Sequence, residues 1–159
     1  MWTLMDSPIG ELRIVEQDGA ITAIEFSPLR DHDGRPRGDR SDTNPVLAET
    51  VRQLTAYFER DLKEFDLPLA PTGSDFQKSV WAQLLLIGYG DTASYGEIAK
   101  RLGRTNAASR AVGLANGSNP IPIVIPCHRV IGANGSLTGY AGGLERKQTL
   151  LDLEIDGLF

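Results

Sequence analysis

Apolar and polar positions change rhythm twice along this chain of 159 residues. They first alternate, in Glu11–Val15 and again in Ala20–Phe26, and the Gln17-Asp18-Gly19 between the two runs is a strong hairpin signal. Residues 28–45 are polar and rich in Pro, Gly, Asp and Arg, which reads as a mobile loop. From Pro45 to Leu62 the spacing turns helical through Val46, Leu47, Val51, Leu54, Tyr57, Phe58 and Leu62, with Asn44 placed to start the helix. Phe65–Leu69 reads as one more short strand. Residues 70–73 then mark a boundary between domains 1–71 and 72–159.

Beyond that boundary the pattern is mostly helical. Ser74 or Asp75 caps a helix carrying Phe76, Val80, Trp81, Leu84 and Leu85, which ends near Gly88–Gly90. Thr92 or Ser94 opens a second helix through Arg101, and Asn106 opens a third. Apart from Val112 and Leu114, the apolar positions of that third helix are alanines (Ala107, Ala108, Ala111 and Ala115), so another backbone or a nucleic acid can approach it closely. Arg129–Ile131 and Ser136–Thr138 flank an Asn-Gly turn in Gly132–Gly135, predicting a β-hairpin, and a last helix covers about Leu144–Glu154. Helix, short turn, small-sided helix and hairpin is the order of a helix-turn-helix with a wing. The predicted class is α/β: a small sheet-and-helix domain, then a winged-helix domain.

Composition narrows the setting. With 41% hydrophobic and 23% charged residues the chain reads as an ordinary globular protein, and no run nears the roughly 20 apolar residues of a membrane span. The N-terminus lacks the blocks of a signal peptide, and a single cysteine allows no internal disulfide, so a reducing cytoplasm is expected. Charge is unevenly spread. Residues 1–71 carry 14 acidic and 8 basic side chains, net −6, whereas residues 72–159 carry 7 and 8, net +1. Between Tyr95 and Asn119, Lys100, Arg101, Arg104 and Arg110 face only Glu97. Screening confines such fields to about 10 Å, so the second half can meet a polyanion despite the acidic total.

The candidate chemistry centres on Ile121–Val130, an apolar run interrupted by Pro122, stopped by Pro126, and followed by Cys127, His128 and Arg129. A thiol attacks as thiolate, which nearby positive charge and a neighbouring base favour. Side chains adjacent on a strand diverge, so His128 needs a turn at Pro126 or a bridging water to serve Cys127. It also needs an orienting carboxylate. Asp75, Asp91, Glu97, Glu145, Asp152, Glu154 and Asp156 are the candidates, with Glu154 favoured by its place at the end of an apolar helix face. Arg110 is a lone long cation on the small-sided helix. Tyr95 and Tyr140 read equally as core or pocket aromatics, and Asn119 before Pro120 as a turn device.

Together these segments resemble the methylated-DNA–protein-cysteine methyltransferases, the 6-O-alkylguanine-DNA alkyltransferases. The resemblance runs through Phe76–Trp81, Ser94–Ala99, Arg110–Gly113, Asn119-Pro120, Pro126–Val130, Gly139-Tyr140, Lys147 and Leu150–Glu154, and Ser7–Leu12 is similar to the family's N-terminal strand. It implies a ribonuclease-H-like first domain and a catalytic, DNA-binding second one. It further implies that Cys127 takes the alkyl group from guanine oxygen, once per molecule, with His128 acting through a water and Glu154 orienting it. Tyr95 would assist the leaving guanine. Arg110, with Ala111 and Gly113 beside it, would enter the minor groove of double-stranded DNA and fill the space of a flipped nucleotide. Tyr140, Val130 and Arg129 would bind the base, and Asn119 would brace the turn before the nucleophile. No cofactor or metal is implied, and the free protein is expected to be a monomer.

Three departures from the family pattern stand out: Gly88 in place of a proline, Ala141 in place of a serine, and Asn116 where the recognition helix is elsewhere apolar, a change expected to alter the minor-groove fit. Repair of 4-O-alkylthymine stays open. Two rival readings are a lesion-binding module without transfer, against which Cys127 argues, and a cysteine hydrolase, which leaves Arg110 and the small-sided helix without a purpose.

Overall fold

The computed structural model describes residues 1–158 and divides into two units, Met1–Pro71 and Thr72–Phe159. In the first, strands β1 (Trp2–Met5), β2 (Leu12–Gln17) and β3 (Ala20–Phe26) form an antiparallel sheet in that order, with Asp18 and Gly19 both at positive φ in the β2–β3 turn. Helix α1 (Pro45–Phe58) packs on the sheet, and Asn44 accepts from the amides of Val46 and Leu47 at its N-terminus. Leu12, Ile14, Ile21, Leu47, Leu54 and Tyr57 make its core, all fully buried.

Four expectations for this unit need correction. Strand β1 escapes the alternation pattern because it is four residues long, and of Ser7–Leu12, likened to the family's N-terminal strand, Ser7–Gly10 is a turn closed by Gly10 N–H on Ser7 O at 3.1 Å while Leu12 opens β2. Helix α1 stops at Phe58 rather than Leu62, since Arg60 adopts a left-handed φ of 64°. Phe65–Leu69 supplies only an isolated bridge from Leu69 to Ile21. Residues 28–45 are not loose. Arg13, buried in mid-sheet, reaches Asp31 at 2.5 Å and the Arg30 carbonyl at 3.0 Å, while Arg37 joins Glu25 at 2.7 Å and Asp33 at 2.6 Å. Backbone bonds tie Trp2 to Asp39 and Ser41. A polar composition here encodes an ion-paired strap over one face of the sheet.

The second unit holds α2 (Asp75–Leu84), β4 (Ala93–Ser94), α3 (Tyr95–Arg101), α4 (Ser109–Gly117), β5 (Val130–Ile131) and α5 (Leu144–Asp156). Ser74 and Gln77 form a reciprocal capping box on α2, and Ser94 caps α3. Asn106 opens a short 3-10 turn, from which α4 follows at Ser109. The indole of Trp81 donates to the Ala115 carbonyl at 2.8 Å and locks α2 against α4. The α/β class stands, but the predicted second hairpin strand does not form. Val130–Ile131 pairs in parallel with Ala93–Ser94, and residues 132–136 make a turn closed by Gly132 N–H on Ser136 O. Thr138 cannot extend a ladder because its carbonyl accepts from Lys147 and its hydroxyl meets Tyr95. No helix among the described residues is long and apolar enough to cross a membrane.

The capping box gives a direct test. Ser74→Ala should lower the unfolding free energy by about 1 kcal/mol, read as a lower denaturant midpoint with an unchanged slope. An unchanged midpoint would mean that water replaces both bonds without cost.

Candidate functional site

The nucleophile's backbone is shaped by asparagine and proline. Asn119 accepts from Ile121 N–H at 3.0 Å through Oδ1 and donates from Nδ2 to the Ile125 carbonyl at 2.8 Å, gripping both ends of the apolar run. Within that grip Ile123 takes a φ of 74°, a left-handed conformation that costs a β-branched residue about 1–3 kcal/mol. The run Ile121–Ile125 is therefore buried as a turn, not as a strand leading to the site. Cys127–Arg129 follows as one 3-10 turn, which takes three consecutive side chains off the alternation of a strand.

All three side chains are buried. His128 Nε2 lies 2.6 Å from Glu154 Oε2; since Glu154 is ionised, Nε2 carries the proton and Nδ1 keeps its lone pair. Nδ1 has no hydrogen-bond partner among the described residues. Arg129 grips the same carboxylate, Nε to Oε1 at 2.8 Å and Nη2 to Oε2 at 3.0 Å, while its Nη1 donates to the Ile87 carbonyl. The amide of Gly90 adds another bond to Oε1 at 3.2 Å. Burial alone would raise the Glu154 pKa, but His128 and Arg129 pull it down to about 2. Burial lowers the pKa of His128 against the pull of Glu154, so the imidazole rests neutral.

Burial likewise raises the Cys127 thiol to about 11, opposed by bonds from Asn119 and Tyr140 and by the charge of Lys147. Tyr140 is pushed well above its ordinary value by burial and by the neighbouring sulfur. Lys147, fully buried, donates from Nζ to the carbonyls of Val130 at 2.6 Å and Thr138 at 3.0 Å. Asn116 Nδ2 reaches the Cys127 carbonyl at 3.3 Å. The site holds a thiol protonated at rest and, on the next residue, a neutral imidazole backed by a carboxylate, with two buried cations beside them.

Cys127, His128, Glu154, Asn119, Tyr140 and Val130 thus converge in one cluster. Arg110 and Ala111 lie on the exposed face of α4 together with Leu114, which is 71% exposed. Gly113 is half-buried against the ring of Tyr95, whose hydroxyl meets Thr138 Oγ1 at 2.5 Å. Two expectations are corrected. Arg129 does not face base or DNA, because its guanidinium is spent inside the protein on Glu154 and Ile87. Asn116 does not face a groove either; at 2% exposure it supports the nucleophile's carbonyl from beneath.

Sequence reasoning gave no role to Lys147 and did not single out Thr138. A signal for Lys147 was present, since 147, 150, 151 and 154 form one helical stripe whose two ends are charged. Nothing comparable marks Thr138. Gly88 belongs to a turn in which Asp91 N–H meets its carbonyl, and Ala141 is exposed. Among the described residues no three His, Cys, Asp or Glu side chains converge as metal ligands.

Comparisons with known proteins point the same way. Residues 1–71 match the ribonuclease-like domain of 6-O-methylguanine DNA methyltransferase, and residues 75–155 match its DNA binding domain. A methylated-DNA–protein-cysteine methyltransferase of Methanosarcina mazei is 60% identical over 156 residues, covering 98% of this chain and 97% of that protein. Its counterpart from Mycolicibacterium paratuberculosis is 54% identical over 151 residues, covering 94% and 89%. The crystal structure of Mycobacterium tuberculosis OGT in complex with DNA shares 46% identity and a TM-score of 0.85, covering 98% of this chain and 93% of that one.

The buried carboxylate predicts an acid limb in stability. Glu154 has its pKa lowered from 4.5, so its contribution is complete above pH 4.5 and is lost as pH falls toward 2. His128, also lowered, adds a loss of the same sign that begins below pH 6.5. Glu154→Gln should cost about 3–5 kcal/mol at pH 7, because Arg129 is left buried without its partner. The gap to wild type should narrow between pH 4.5 and 2 in denaturant unfolding. A gap constant over that range would assign the acid limb to other carboxylates.

Proposed function

The chain belongs to the 6-O-methylguanine DNA methyltransferase family, and from that premise we propose how a methylated-DNA–protein-cysteine methyltransferase of this sequence works. It repairs alkylated DNA, with Cys127 as acceptor of the methyl group of 6-O-methylguanine. The observation that carries the reading is the buried Cys127 followed in the chain by His128 bonded to the buried Glu154, with Tyr140 near enough to the thiol to influence its titration.

Burial holds the thiol protonated at pH 7, so the proton has to leave as the attack proceeds. It passes through a water to Nδ1 of His128. The imidazolium so formed is stabilised by Glu154, which already accepts the Nε2 proton. Sulfur attacks the methyl carbon in line with the bond to guanine oxygen. As the S–C bond forms and the C–O bond breaks, the electron pair leaves on guanine, where a hydrogen bond from Tyr95 meets the developing charge. The product is a thioether at Cys127, which has no route back to thiol. Each molecule therefore acts once. Asn119 and Asn116 hold the backbone on either side of the sulfur, and Tyr140 with the backbone at Val130 lines the base pocket.

Burial of the thiol also requires the damaged nucleotide to leave the stack, since Cys127 is 4% exposed. The outer face of α4 suits a minor groove about 6 Å wide, with alanine and glycine set around Arg110. Arg110 fills the gap left by the extruded nucleotide. The protein works as a monomer in a reducing compartment, and 4-O-alkylthymine is the lesser substrate to test. A lesion-binding module without transfer would leave a buried thiol–base–carboxylate row idle, so transfer is the better reading.

Two experiments decide it. Incubation with a duplex carrying one 6-O-methylguanine should add one methyl mass to the peptide holding Cys127, and Cys127→Ser should bind that duplex without gaining mass. Methyl transfer by the serine variant near the wild-type rate would remove Cys127 as acceptor. Arg110→Ala should slow repair of duplex by tenfold to several hundredfold, on the order of a few kcal/mol of unstacking, and leave single-stranded substrate nearly unaffected. Equal slowing on both would reduce Arg110 to a phosphate contact, with a correspondingly flatter salt dependence.

A further inference from the structure

We propose that Thr138 is a positioning residue for methyl transfer, holding the hydroxyl of Tyr95 at the leaving base and fixing it relative to the nucleophile. The inference rests on the role given to Tyr95 above and concerns what keeps that phenol in place. Tyr95 opens α3, and its ring lies against the bare backbone of Gly113 on α4. That contact places the ring without aiming its oxygen. The aim comes from the loop between β5 and α5, where Thr138 Oγ1 stands 2.5 Å from Tyr95 Oη.

Thr138 is anchored from its other side. Its carbonyl accepts from Lys147 Nζ at 3.0 Å, and the same ammonium donates to the carbonyl of Val130 at 2.6 Å, three residues past Cys127. A chain of bonds therefore runs from Tyr95 through Thr138 and Lys147 to the backbone of the nucleophile's turn. Lys147 is fully buried, so this anchor is largely shielded from bulk water. Two residues beyond Thr138 the same loop supplies Tyr140, which lies near enough to the Cys127 thiol to influence its titration. Both pocket tyrosines are set by one short segment.

Hydroxyl chemistry assigns the direction of the Thr138–Tyr95 bond during transfer. A hydroxyl has one proton to donate and can accept two. Tyr95 can direct its proton to the departing guanine only if Thr138 is the donor in their pair. Charge growing on the base then draws on Tyr95, and the threonine proton supports the phenol oxygen from behind. No proton has to be transferred along this pair, and the guanine anion is protonated later by water.

The test is single-turnover methyl transfer from a labelled 6-O-methylguanine duplex by the full chain, with the rate at saturating DNA separated from the DNA concentration at half-saturation. Thr138→Val removes the hydroxyl and keeps the shape. It should slow the saturated rate by about three- to tenfold, the scale of one neutral hydrogen bond, with half-saturation unchanged. Thr138→Ser, which keeps the hydroxyl, should stay within about twofold of wild type. In a Tyr95→Phe background, Thr138→Val should have no further effect, because the bond it removes is already absent. The inference is overturned if Thr138→Val transfers at the wild-type rate, if Thr138→Ser is as slow as the valine variant, or if valine slows the Tyr95→Phe protein by the same factor. Tyr95→Phe alone reports on the underlying reading: a wild-type rate there removes Tyr95 from the mechanism, whereas a slow Tyr95→Phe beside a fast Thr138→Val removes only Thr138.

Discussion

One buried carboxylate organises the catalytic unit. Glu154 is 1% exposed and accepts from His128, from two nitrogens of Arg129 and from the amide of Gly90. These donors come from the nucleophile's turn and from the loop after α2, so α5 is fastened to both through two oxygen atoms. Burying a charge this way is costly, and only several charge-assisted bonds make it tolerable. The same bonds orient the imidazole. Stability and catalytic geometry are one arrangement here, and neither can be altered without the other.

Arg129 makes that economy clearer. A carboxylate bonded only to a neutral imidazole would favour its own protonation when desolvated. The guanidinium helps keep Glu154 ionised, and in the proposed mechanism Glu154 is then ready for the charge that His128 would acquire when the thiol proton leaves. Lys147 acts near the sulfur in the same sense, while its two carbonyl bonds hold the backbone after Cys127. The rest of the unit supplies rigidity: Trp81 ties α2 to α4, and Asn119 holds Ile123 in a backbone conformation that an isoleucine would otherwise avoid.

Local chemistry was the part of this structure most legible in the sequence. Asp18-Gly19 turns the first hairpin, Asn44 caps α1 and Ser74 caps α2, because each signal depends on a few neighbouring atoms. Gly132–Gly135 misled for the complementary reason. Its turn forms, but whether a strand follows depends on what else claims Thr138, and Lys147 and Tyr95 lie 9 and 43 residues away in sequence. Arg129 and Asn116 were placed on the wrong side for a similar reason, since the partner that draws each inward is not adjacent in sequence. The strap at 28–45 shows the limit of composition alone: a polar segment is loose only if nothing beneath it carries the opposite charge, and Arg13 is buried under Asp31.

A thiol with its pKa raised to about 11 would handicap an enzyme that had to turn over rapidly, because nearly every encounter would find it protonated. On the proposed reading the protein reacts once, and the balance differs. If the transfer is irreversible as proposed, one lost thiol is one lost molecule, and a protonated, desolvated sulfur is slow to react with stray oxidants and alkylating agents. What raises the pKa is chiefly burial, and a base entering the pocket does not relieve it. In the proposed mechanism the proton is removed instead by a base already in position, which gives a purpose to a His128 that is buried and neutral at rest. Burial that protects the sulfur before the lesion arrives thus accounts for the fixed base and the buried carboxylate behind it.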